Sequence, residues 1–563
     1  MGKASRAKRP GTGPSGVPAA PKMGQASGPA MPTAPAKSSR AAGNARLTRS
    51  ERRAGRATAE PSTGLDRVLA RWDLGLLGLA ATFWLLGHVA AIASIAIPVW
   101  IVTGLALGLL QPWLGLLLTI AVVPFLGGAI DPAYGEVLRV IPIFGSAARV
   151  LLDRFVLGPS LGGVRRQGPP WWVVAAAVAA TGLYAYTAVT GYFAVGQNQA
   201  FLDSGLHWVA GGPMALMAAW IAASHLVAGR DRLLTNVVLG TTVVGCVLAL
   251  LAWVGVPGVD LITFPGIVAG RLAGLGYPTP TSMGIATVLP FAVAAAHRRG
   301  RGLALAVVGL ALVTLVLGGS RGAFIALGVG TVLAVLASGR VERRLQIAGV
   351  AIGAIALVCI LAIRYGTNVD TITQAIGQIA GGDADRVNSW AAAVAIALAN
   401  PLVGGGWRSL ERVGDFAQRQ LAYAHDILLH GFSEGGLPLG ITNATVILYS
   451  SWNVWRHRHS MAPYLIAGVV TFLVCGLWDI PQVRSYAAVM GGIAMGMAAG
   501  PLIARDDVLV AGGVETRPAR ARTPQGDPKT RPLEQQSAQS HRSETEPDAL
   551  PRMRAAAATP AVG

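Results

Sequence analysis

Apolar tracts of about twenty residues, separated by short segments that contain arginine, fill most of this chain between residues 74 and 503. A helix that crosses a membrane needs about 20 apolar residues. Hydrophobic residues make up 53% of the chain and charged residues only 13%, whereas a soluble chain carries roughly 25% charged residues. The sequence therefore predicts an all-α polytopic membrane protein. It excludes a secreted domain, a fibre and an ordinary cytosolic enzyme.

The apolar tracts predict about 12 transmembrane helices, within a range of about 12 to 14. The early tract at 74–128 is expected to hold two or three short helices, broken at Pro98 and at Gln111-Pro112. Residues 137–157 carry charges among apolar positions. The segment is therefore either an amphipathic helix at the membrane interface or a weakly apolar transmembrane helix. The clearer spans are predicted at 171–191, 208–228, 235–255, 281–297, 302–319, 321–338, 345–363, 425–449, 462–480 and 485–503.

Arginine clusters in alternate loops give the orientation, because cytoplasmic loops are enriched in Lys and Arg. The clusters lie at 165–166, 230–232, 298–301, 340–344 and 456–458. The intervening segments are therefore predicted to be external: 192–207, 256–280, the junction near 320–321, a long loop at 364–424 and a short one at 481–484. This orientation requires an even number of spans before Arg165. It predicts a multi-pass protein with both termini in the cytoplasm.

The two ends of the chain differ from the apolar part. Residues up to Arg67 carry 13 basic and three acidic side chains, a surplus of 13 − 3 = +10, among Ala, Gly, Pro and Ser. Such a composition predicts a disordered basic tail over 1–70, which can contact anionic membrane lipids. No aromatic residues are interleaved with the basic ones, so no nucleic-acid partner is expected. Residues 71–503 are the transmembrane domain, and 504–563 are a second disordered cytoplasmic tail.

Nothing in the sequence predicts a metal or a cofactor. Cys246, Cys359 and Cys475 all lie in apolar tracts, and their spacing fits neither a zinc site nor a disulfide framework. No phosphate-binding G-x-x-x-x-G-K-S/T motif occurs, so the chain is not by itself an ATP-driven pump. No apolar stretch lies in the first 60 residues, so no cleavable signal peptide is predicted.

Four arginines in or beside the segments predicted to be external are selected because they have little acidic company: Arg271, Arg321, Arg386 and Arg408. An arginine at the outer mouth of an apolar bundle is costly unless it meets an anion. Guanidinium groups bind phosphate oxygens in pairs and keep their charge at any relevant pH. A lipid that carries a diphosphate would supply such an anion at that depth, so these four residues are candidate substrate-binding groups.

Local ion pairs are the simpler interpretation of two of these arginines. The acidic neighbours of Arg386 and Arg408 are Asp383, Asp385, Glu411 and Asp415. Exposed pairs of this kind contribute little to stability. Arg271 and Arg321 have no acidic residue within ten positions on either side. They are therefore the stronger candidates for binding an anion.

His425 is the candidate catalytic residue, where the long loop enters a predicted span in the segment AHDILLH. A histidine at such a place is often structural, but Asp426 is adjacent and two external arginines precede it in the same loop. A neutral imidazole beside a bound diphosphate can accept a proton from an incoming hydroxyl. Asp426 and Glu434 are candidate supporting residues. Glu434 also has His430 as a local partner four residues before it.

Four segments together resemble a known family. They are GRLAGLGYPTPTSMG at 270–284, GGSRGAF at 318–324, DRVNSWAAAVAIALANPLVGGGW at 385–407, and AHDILLHGFSEGGLPLG at 424–440. In this order, over roughly 170–500, they resemble the O-antigen ligase family, membrane glycosyltransferases with a Wzy-type C-terminal domain. Two positions depart from the family pattern. Pro278-Thr279-Pro280 stands where the family often has an asparagine, and Asp426 stands where it often has Asn.

The resemblance implies a bundle of the C-type glycosyltransferase (GT-C) kind, acting without metal or nucleotide sugar on the external face of a bacterial inner or plasma membrane. The donor would be a glycan on undecaprenyl diphosphate, and the acceptor a hydroxyl on a glycan, glycolipid or protein. Arg271 and Arg386 would hold the diphosphate, with Arg321 as a third candidate. His425 would activate the acceptor. One direct displacement would invert the anomeric carbon, as a step of cell-envelope polysaccharide biosynthesis.

Other functions remain open at the level of sequence. A Wzy-like polysaccharide polymerase and an O-linked protein glycosyltransferase would use nearly the same residues with another acceptor. A secondary anion transporter would also have a basic external mouth. Few ionisable residues lie in the middle of the predicted spans, however, where coupling sites of transporters are found. A scaffold membrane protein would give no reason for Arg271 and Arg321.

Overall fold

The computed structural model describes residues 77–125 without 88, 90 and 91, 132–156, 168–338 without 228–229 and 269, 384–413, and 423–500. The two tails, the predicted span at 345–363, Cys359 and most of the first half of the long loop lie outside these ranges. The described part is built from helices and one short two-stranded antiparallel hairpin. The all-helical class is therefore confirmed.

The helices before the hairpin are α1 Leu77–Leu86, α2 Ala93–Leu110, α3 Pro112–Val122, α4 Pro132–Leu138, α5 Ile141–Phe155, α6 Trp171–Ala194, α7 Gln199–Val209, α8 Ala215–Leu226 and α9 Asp231–Trp253. The hairpin strands are β1 Ile267–Val268 and β2 Arg271–Leu272. The helices that follow are α10 Pro278–His297, α11 Arg301–Gly318, α12 Arg321–Ser338, α13 Ala384–Ala399, α14 Ile427–His457, α15 Pro463–Trp478 and α16 Ser485–Ala499.

Six helical segments of the described residues are long and apolar enough to cross a membrane. They are α2, α6, the continuous α7–α8 segment, α9, α10 and α11. Shorter apolar helices, among them α12, α15 and α16, pack with these into the same bundle. These helices support a multi-pass membrane protein, and the total of about 12 spans stays a prediction.

The two predicted breaks in the first apolar tract behave differently. Gln111-Pro112 ends α2 and begins α3, with Pro112 in the first turn of α3, where a missing N–H costs nothing. Pro98 lies inside α2 and does not break it, so that expectation was wrong. Proline removes one backbone hydrogen bond, and neighbouring groups in membrane helices compensate for such a loss.

The charged tract at 137–157 is packed into the bundle. It forms the end of α4 and the whole of α5, which packs against α2, α3 and α8. Arg139 lies between the two helices and is 1% exposed. Its guanidinium pairs with the carboxylate of Glu136 at 2.8 Å. The charge at this point is thus neutralised inside the protein instead of facing a membrane surface.

Helices α7 and α8 are joined by a π-helical turn, Ala210–Met214, which contains two glycines and Pro213. The joined segment begins at Gln199, within residues that were predicted to be an external loop. A Cβ atom at Gly211 would lie 2.7 Å from backbone atoms of Glu136, and one at Gly212 would lie 2.5 Å from the carbonyl oxygen of Gln482. Glycine is therefore required here, because the backbones of α4 and of the 479–485 turn lie against the π turn.

The core lies around α10, which packs against α9, α11, α15 and α16. The most extensive other contacts join α12 with α15 and α8 with α16. Small residues let these helices approach closely, as expected in a membrane bundle. A Cβ atom at Gly496 of α16, for example, would lie 2.6 Å from the carbonyl oxygen of Trp220 in α8. This packing fixes the ends of α10, α11, α14 and α15, where the candidate residues lie.

Candidate functional site

The described structure pairs His425 with an acidic residue that lies far away in the sequence. His425 directly precedes the N-cap of α14, and Asp479 follows the last residue of α15. The imidazole Nδ1 lies 3.1 Å from Oδ1 of Asp479. The side chains are 29% and 16% exposed, so the pair is partly shielded from solvent but still accessible. His425 has a left-handed backbone, with φ at 51°, which directs the chain into the helix.

The environment keeps Asp479 ionised. Burial raises the pKa of this carboxyl, but the hydrogen bond and charge of His425, the backbone N–H of Ile480 and the charge of Arg386 outweigh burial and lower it. An ionised Asp479 is an acceptor for a hydrogen bond from Nδ1–H of His425. In a neutral imidazole, that tautomer places the lone pair on Nε2.

Arg386 belongs to the same cluster. It lies in the first turn of α13, close enough to Asp479 for its charge to act on the carboxyl. Ser389, one turn later, donates its hydroxyl to the carbonyl oxygens of Arg386 at 2.8 Å and of Ala424 at 3.3 Å. This contact fixes the start of α13 against the residue that precedes His425. Asp383 and the side chain of Asp385, the predicted pairing partners of Arg386, lie outside the described part of the structure.

Arg271 is held at the junction of three elements. It lies on β2, donates from Nε to the carbonyl oxygen of Gly318 at 2.8 Å, and donates from Nη2 to Oγ1 of Thr279 at 3.2 Å. These contacts join the hairpin to the end of α11 and the first turn of α10. Both of these acceptors are neutral groups, and they orient the guanidinium at this junction.

Arg408 is used differently from the other three candidate arginines. Its guanidinium pairs with the carboxylate of Glu411, and it lies 5.4 Å from the ring centroid of Trp407. Its backbone N–H donates to Oε1 of Glu434 at 2.8 Å. Of the two partners suggested by the sequence, Glu411 is thus the observed one, and Asp415 lies outside the described residues. These contacts point to a loop-anchoring role for Arg408.

Glu434 lies inside α14, two residues before the kink at Gly436, and is 1% exposed. Besides the N–H of Arg408, its carboxylate has His430 as a neighbour, with Oε2 3.5 Å from Nε2. The structure therefore connects Glu434 to the loop before α14, and none of its described contacts is with His425. Its place in the fold is that of an anchor for the 400–412 segment.

The glycine run at 404–406 lets that segment lie directly on α14 and α6. Gly405 and Gly406 donate their N–H groups to the carbonyl oxygens of Ser433 and Glu434, at 2.7 and 2.9 Å. Gly406 has φ at +76°, and a Cβ atom there would lie 2.5 Å from the backbone nitrogen of Gly191 in α6. Trp407 then enters the core with 2% exposure. The close backbone approach explains why side chains are excluded here.

Asp426 caps α14. Its carboxylate Oδ1 accepts hydrogen bonds from the backbone N–H groups of Leu428 and Leu429, at 2.9 and 2.8 Å. Asparagine is an equally good N-cap. The departure from the family pattern at this position therefore conserves the cap. This local role positions His425, which is the preceding residue.

Arg321 is the first residue of α12, at the joint that follows Gly318. Its side chain is partly buried. No side-chain hydrogen bond or ion pair connects it with another residue of the described ranges. The structure therefore brings together Arg386, His425 and Asp479, places Arg271 at the start of α10, and leaves Arg321 as a separate candidate.

The sequence analysis did not identify two residues in or next to the 481–484 segment, Asp479 and Arg484. Asp479 could not be found by local spacing, because it lies 54 positions from His425. Arg484 could have been found, because it is an arginine in a segment predicted to be external, the same signal that selected the other four. Its guanidinium lies 3.7 Å from the ring centroid of Trp208 and 4.0 Å from that of Tyr277.

The fold and the site define a class of protein: a multi-pass helical membrane protein with a histidine–aspartate pair and several guanidinium groups near the ends of its helices. Comparison with protein families gives a more particular likeness. Residues 306–444 match the family described as Wzy_C, O-Antigen ligase, which confirms the resemblance carried by the four motifs. This segment of the chain is thus similar to an O-antigen ligase domain.

The matched segment is narrower than the region over which the motifs were recognised. It includes Arg321, Arg386, Arg408 and His425, whereas Arg271, Asp479 and Arg484 lie outside it. A search of curated proteins gives no match. The roles of the residues outside the matched segment therefore depend on the contacts described above.

Proposed function

We propose that the protein transfers a glycan from a polyprenyl diphosphate, of the undecaprenyl type, to a hydroxyl acceptor on the external face of the membrane. The observation that carries the proposal is the His425–Asp479 pair with Arg386 beside it. The reaction needs one group that accepts the proton of the attacking hydroxyl and another that stabilises the negative charge on the departing diphosphate. An imidazole next to a guanidinium group can supply both. The Wzy_C match gives the class of chemistry.

The reaction is a single displacement. The acceptor oxygen attacks the anomeric carbon of the donor sugar, and its proton passes to Nε2 of His425. The bond between the anomeric carbon and the phosphate oxygen breaks, and its electron pair stays on the lipid diphosphate. Attack from the side opposite the leaving group inverts the anomeric carbon. Asp479 holds the tautomer that accepts the proton and stabilises the imidazolium that results.

The arginines stabilise the leaving group. Negative charge grows on the diphosphate as the bond breaks, and guanidinium groups that are already oriented stabilise it without further reorganisation. Arg271 is oriented by Gly318 and Thr279, and Arg386 is placed by the first turn of α13. In this mechanism the protein uses neither a metal nor a nucleotide sugar. Arg321 is a further candidate for the same charge.

The experiment is transfer in reconstituted vesicles. The purified full chain is supplied with radiolabelled undecaprenyl-diphosphate glycans and a membrane extract as acceptor. Wild type is compared with Arg271→Ala, Arg386→Ala and His425→Ala, each checked for a monodisperse fold. Arg458→Ala is the control, because Arg458 lies at the end of α14 away from His425, over the ring of Trp455.

We expect label to leave the lipid with wild type and the control, and to stay on it with the three folded variants. A loss of about 10²- to 10⁴-fold is expected for His425→Ala, the usual contribution of a general base. The labelled product separates a ligase from a polymerase or a protein glycosyltransferase. Anion flux into vesicles that contain no lipid-linked glycan, together with no transfer, would contradict the proposal and favour a transporter.

A further inference from the structure

The turn between α15 and α16 carries a basic group, Arg484, that the reaction above does not use. Arg484 is the last residue of this turn, directly before α16. Its guanidinium lies between two aromatic rings, 3.7 Å from the centroid of Trp208 in α7 and 4.0 Å from that of Tyr277. Cation–π contacts on both faces fix the plane of the group and leave its edge, which carries the N–H donors, for other partners.

One N–H group of Arg484 lacks an acceptor in the described part of the chain. Its Nη1 is buried, and no group in the described ranges accepts a hydrogen bond from it. Glu136 is close enough for Arg484 to act on its carboxylate electrostatically. That carboxylate is already bound by Arg139 at 2.8 Å and by the backbone N–H of Ser485 at 2.7 Å. Glu136 thus has other partners, and Nη1 of Arg484 keeps a donor for a further acceptor.

The side chain of Gln482, two residues earlier in the same turn, also lacks hydrogen-bond partners in the described residues. It is 1% exposed, and neither Oε1 nor Nε2 of its amide has a hydrogen-bond partner within the described ranges. A buried amide without partners costs free energy of about 1–3 kcal/mol. An amide that can both donate and accept, in the same turn as a guanidinium held by two aromatic rings, is a combination suited to binding an oxyanion with a hydroxyl beside it.

The position of this turn connects it with the candidate site. Tyr277, which packs on Arg484, is the N-cap residue of α10, and Arg271 donates to Thr279 in the first turn of the same helix. At its other end the turn begins with Asp479, the partner of His425. A substrate held near Arg271 and His425 would therefore have Gln482 and Arg484 beside it.

We propose that Gln482 and Arg484 form a binding subsite for an oxyanion carried by the substrate, with Arg484 binding the anion and Gln482 a neighbouring hydroxyl. Two sources share this chemistry: the phosphate of the lipid donor and the carboxylate of an acidic sugar in the glycan. The assignment of the anion to a glycan-transfer substrate rests on the proposed function. The binding of an oxyanion at this turn does not, so it can be tested without any transfer reaction.

The experiment measures ligand binding to the full chain in detergent. Sodium pyrophosphate, glucuronate and neutral glucose are titrated while tryptophan fluorescence and the thermal unfolding midpoint are recorded, because Trp208 contacts Arg484 directly. Wild type is compared with Arg484→Gln, with Arg484→Lys and with Gln482→Met. Arg458→Gln is the matched control, since Arg458 lies 4.3 Å from the ring centroid of Trp455 in a similar cation–π contact elsewhere.

We expect wild type and the control to bind one of the two anions and not glucose. Arg484→Gln should weaken that binding about 10- to 100-fold, as expected for the loss of a charge-assisted contact. Arg484→Lys should restore only part of it, because lysine lacks the planar fork. Gln482→Met should weaken the response while leaving the unfolding midpoint of the ligand-free protein unchanged or raised. A purely structural glutamine would give the opposite result.

A response to pyrophosphate identifies a phosphate, and a response to glucuronate identifies an acidic sugar. The subsite is refuted when wild type responds to neither anion, or when Arg484→Gln binds as tightly as wild type. These results do not depend on transfer. Binding that is lost in Arg484→Gln, in a protein that transfers no glycan, would therefore contradict the proposed function and leave the subsite intact.

Discussion

At the scale of single residues, the described structure separates groups of the same type by their partners. Arg408 has the carboxylate of Glu411, and Arg271 has a carbonyl and a hydroxyl as acceptors. The carboxylate of Glu411 ties Arg408 to its own loop, whereas the carbonyl of Gly318 and the hydroxyl of Thr279 tie Arg271 to α11 and α10. The residue type and the external position are the same in both cases. The described partners are what separate the two residues.

Asp479→Asn tests whether the carboxylate sets the tautomer of His425. The amide NH₂ of asparagine can donate to Nδ1, which would move the proton to Nε2 and remove the acceptor. We expect transfer to fall by about 10²- to 10⁴-fold with little change in the amount of bound donor. The measurement is kcat and KM for transfer in vesicles. Asp153→Asn is the control, because Asp153 pairs with Arg149 on α5 and should keep wild-type activity.

The lowered pKa of Asp479 predicts a pH dependence of stability. The folded-state pKa lies below the usual value of about 3.9, so the ionised carboxylate contributes stability above that pH. This contribution is lost as the pH falls through the lowered folded-state value. The difference in unfolding midpoint between wild type and Asp479→Asn should be largest above about pH 5 and should shrink below about pH 4. A difference that keeps growing as the pH falls from about 5 to about 3 would refute an ionised Asp479.

At the scale of elements, α14 changes direction at Gly436, where φ is 67° and ψ is −163°. The kink makes room for the 400–412 segment. The N–H of Leu437 donates to the carbonyl oxygen of Pro401 at 2.7 Å. A Cβ atom at Gly436 would lie 2.5 Å from the same oxygen. The kink and the loop are therefore one packing unit, although a single apolar span was predicted at 425–449.

Gly436→Ala should destabilise this unit. The backbone angles of Gly436 lie in a region that is essentially restricted to glycine and costs another residue about 1–3 kcal/mol, and the clash with Pro401 adds to that cost. We expect a lower thermal unfolding midpoint and faster proteolysis in the 400–412 segment. Gly328→Ala is the matched control, since no atom lies within 4 Å of a Cβ at Gly328 in α12. An equal effect of both variants would show that the kink is not strained by a side chain.

Sequence patterns predicted most of these helices, because apolar tracts of the right length are a direct consequence of the membrane as solvent. The bounds of α6, α9, α10 and α11 lie close to the predicted ones. Pro98 was misjudged because proline is tolerated in a membrane helix, and Asp479 was missed because its contact with His425 depends on tertiary packing. His425 itself was found from its place at the entrance of a span. Thus positions relative to the membrane were predictable, and partners across the bundle were not.

At the scale of the whole molecule, the buried cluster of Glu136, Arg139 and Ser485 connects α4 with α16. Glu136 Oε2 accepts from Ser485 N–H at 2.7 Å and from its hydroxyl at 2.5 Å, and pairs with Arg139 at 2.8 Å. These contacts join residues 349 positions apart. A buried charge that loses its partner is strongly destabilising, so this cluster is expected to matter for global stability.

Glu136→Gln should lower stability by about 3–5 kcal/mol, because Arg139 would remain buried without a carboxylate. The comparison is with Asp153→Asn, which breaks the Arg149 pair on α5. Its side chains are 28% and 45% exposed, and its loss should cost less than about 1 kcal/mol. Both are measured as thermal or denaturant unfolding in the same detergent. Combining Glu136→Leu with Arg139→Met should recover part of the loss, since Arg139 is then no longer a buried charge without a partner, while Arg484 still loses the Glu136 carboxylate.

The link between Glu136 and Ser485 has a consequence for biosynthesis. Helices are made and inserted in chain order, and domains made first fold first. A nascent chain that has reached α15 already contains Arg271, Arg386 and His425, but it lacks Asp479, Arg484 and the helix that satisfies Glu136. Under the proposed function, such an intermediate cannot orient its proton acceptor. A chain that ends before Asp479 would then be inert toward lipid-linked glycans. Activity would begin only when α16 has been translated.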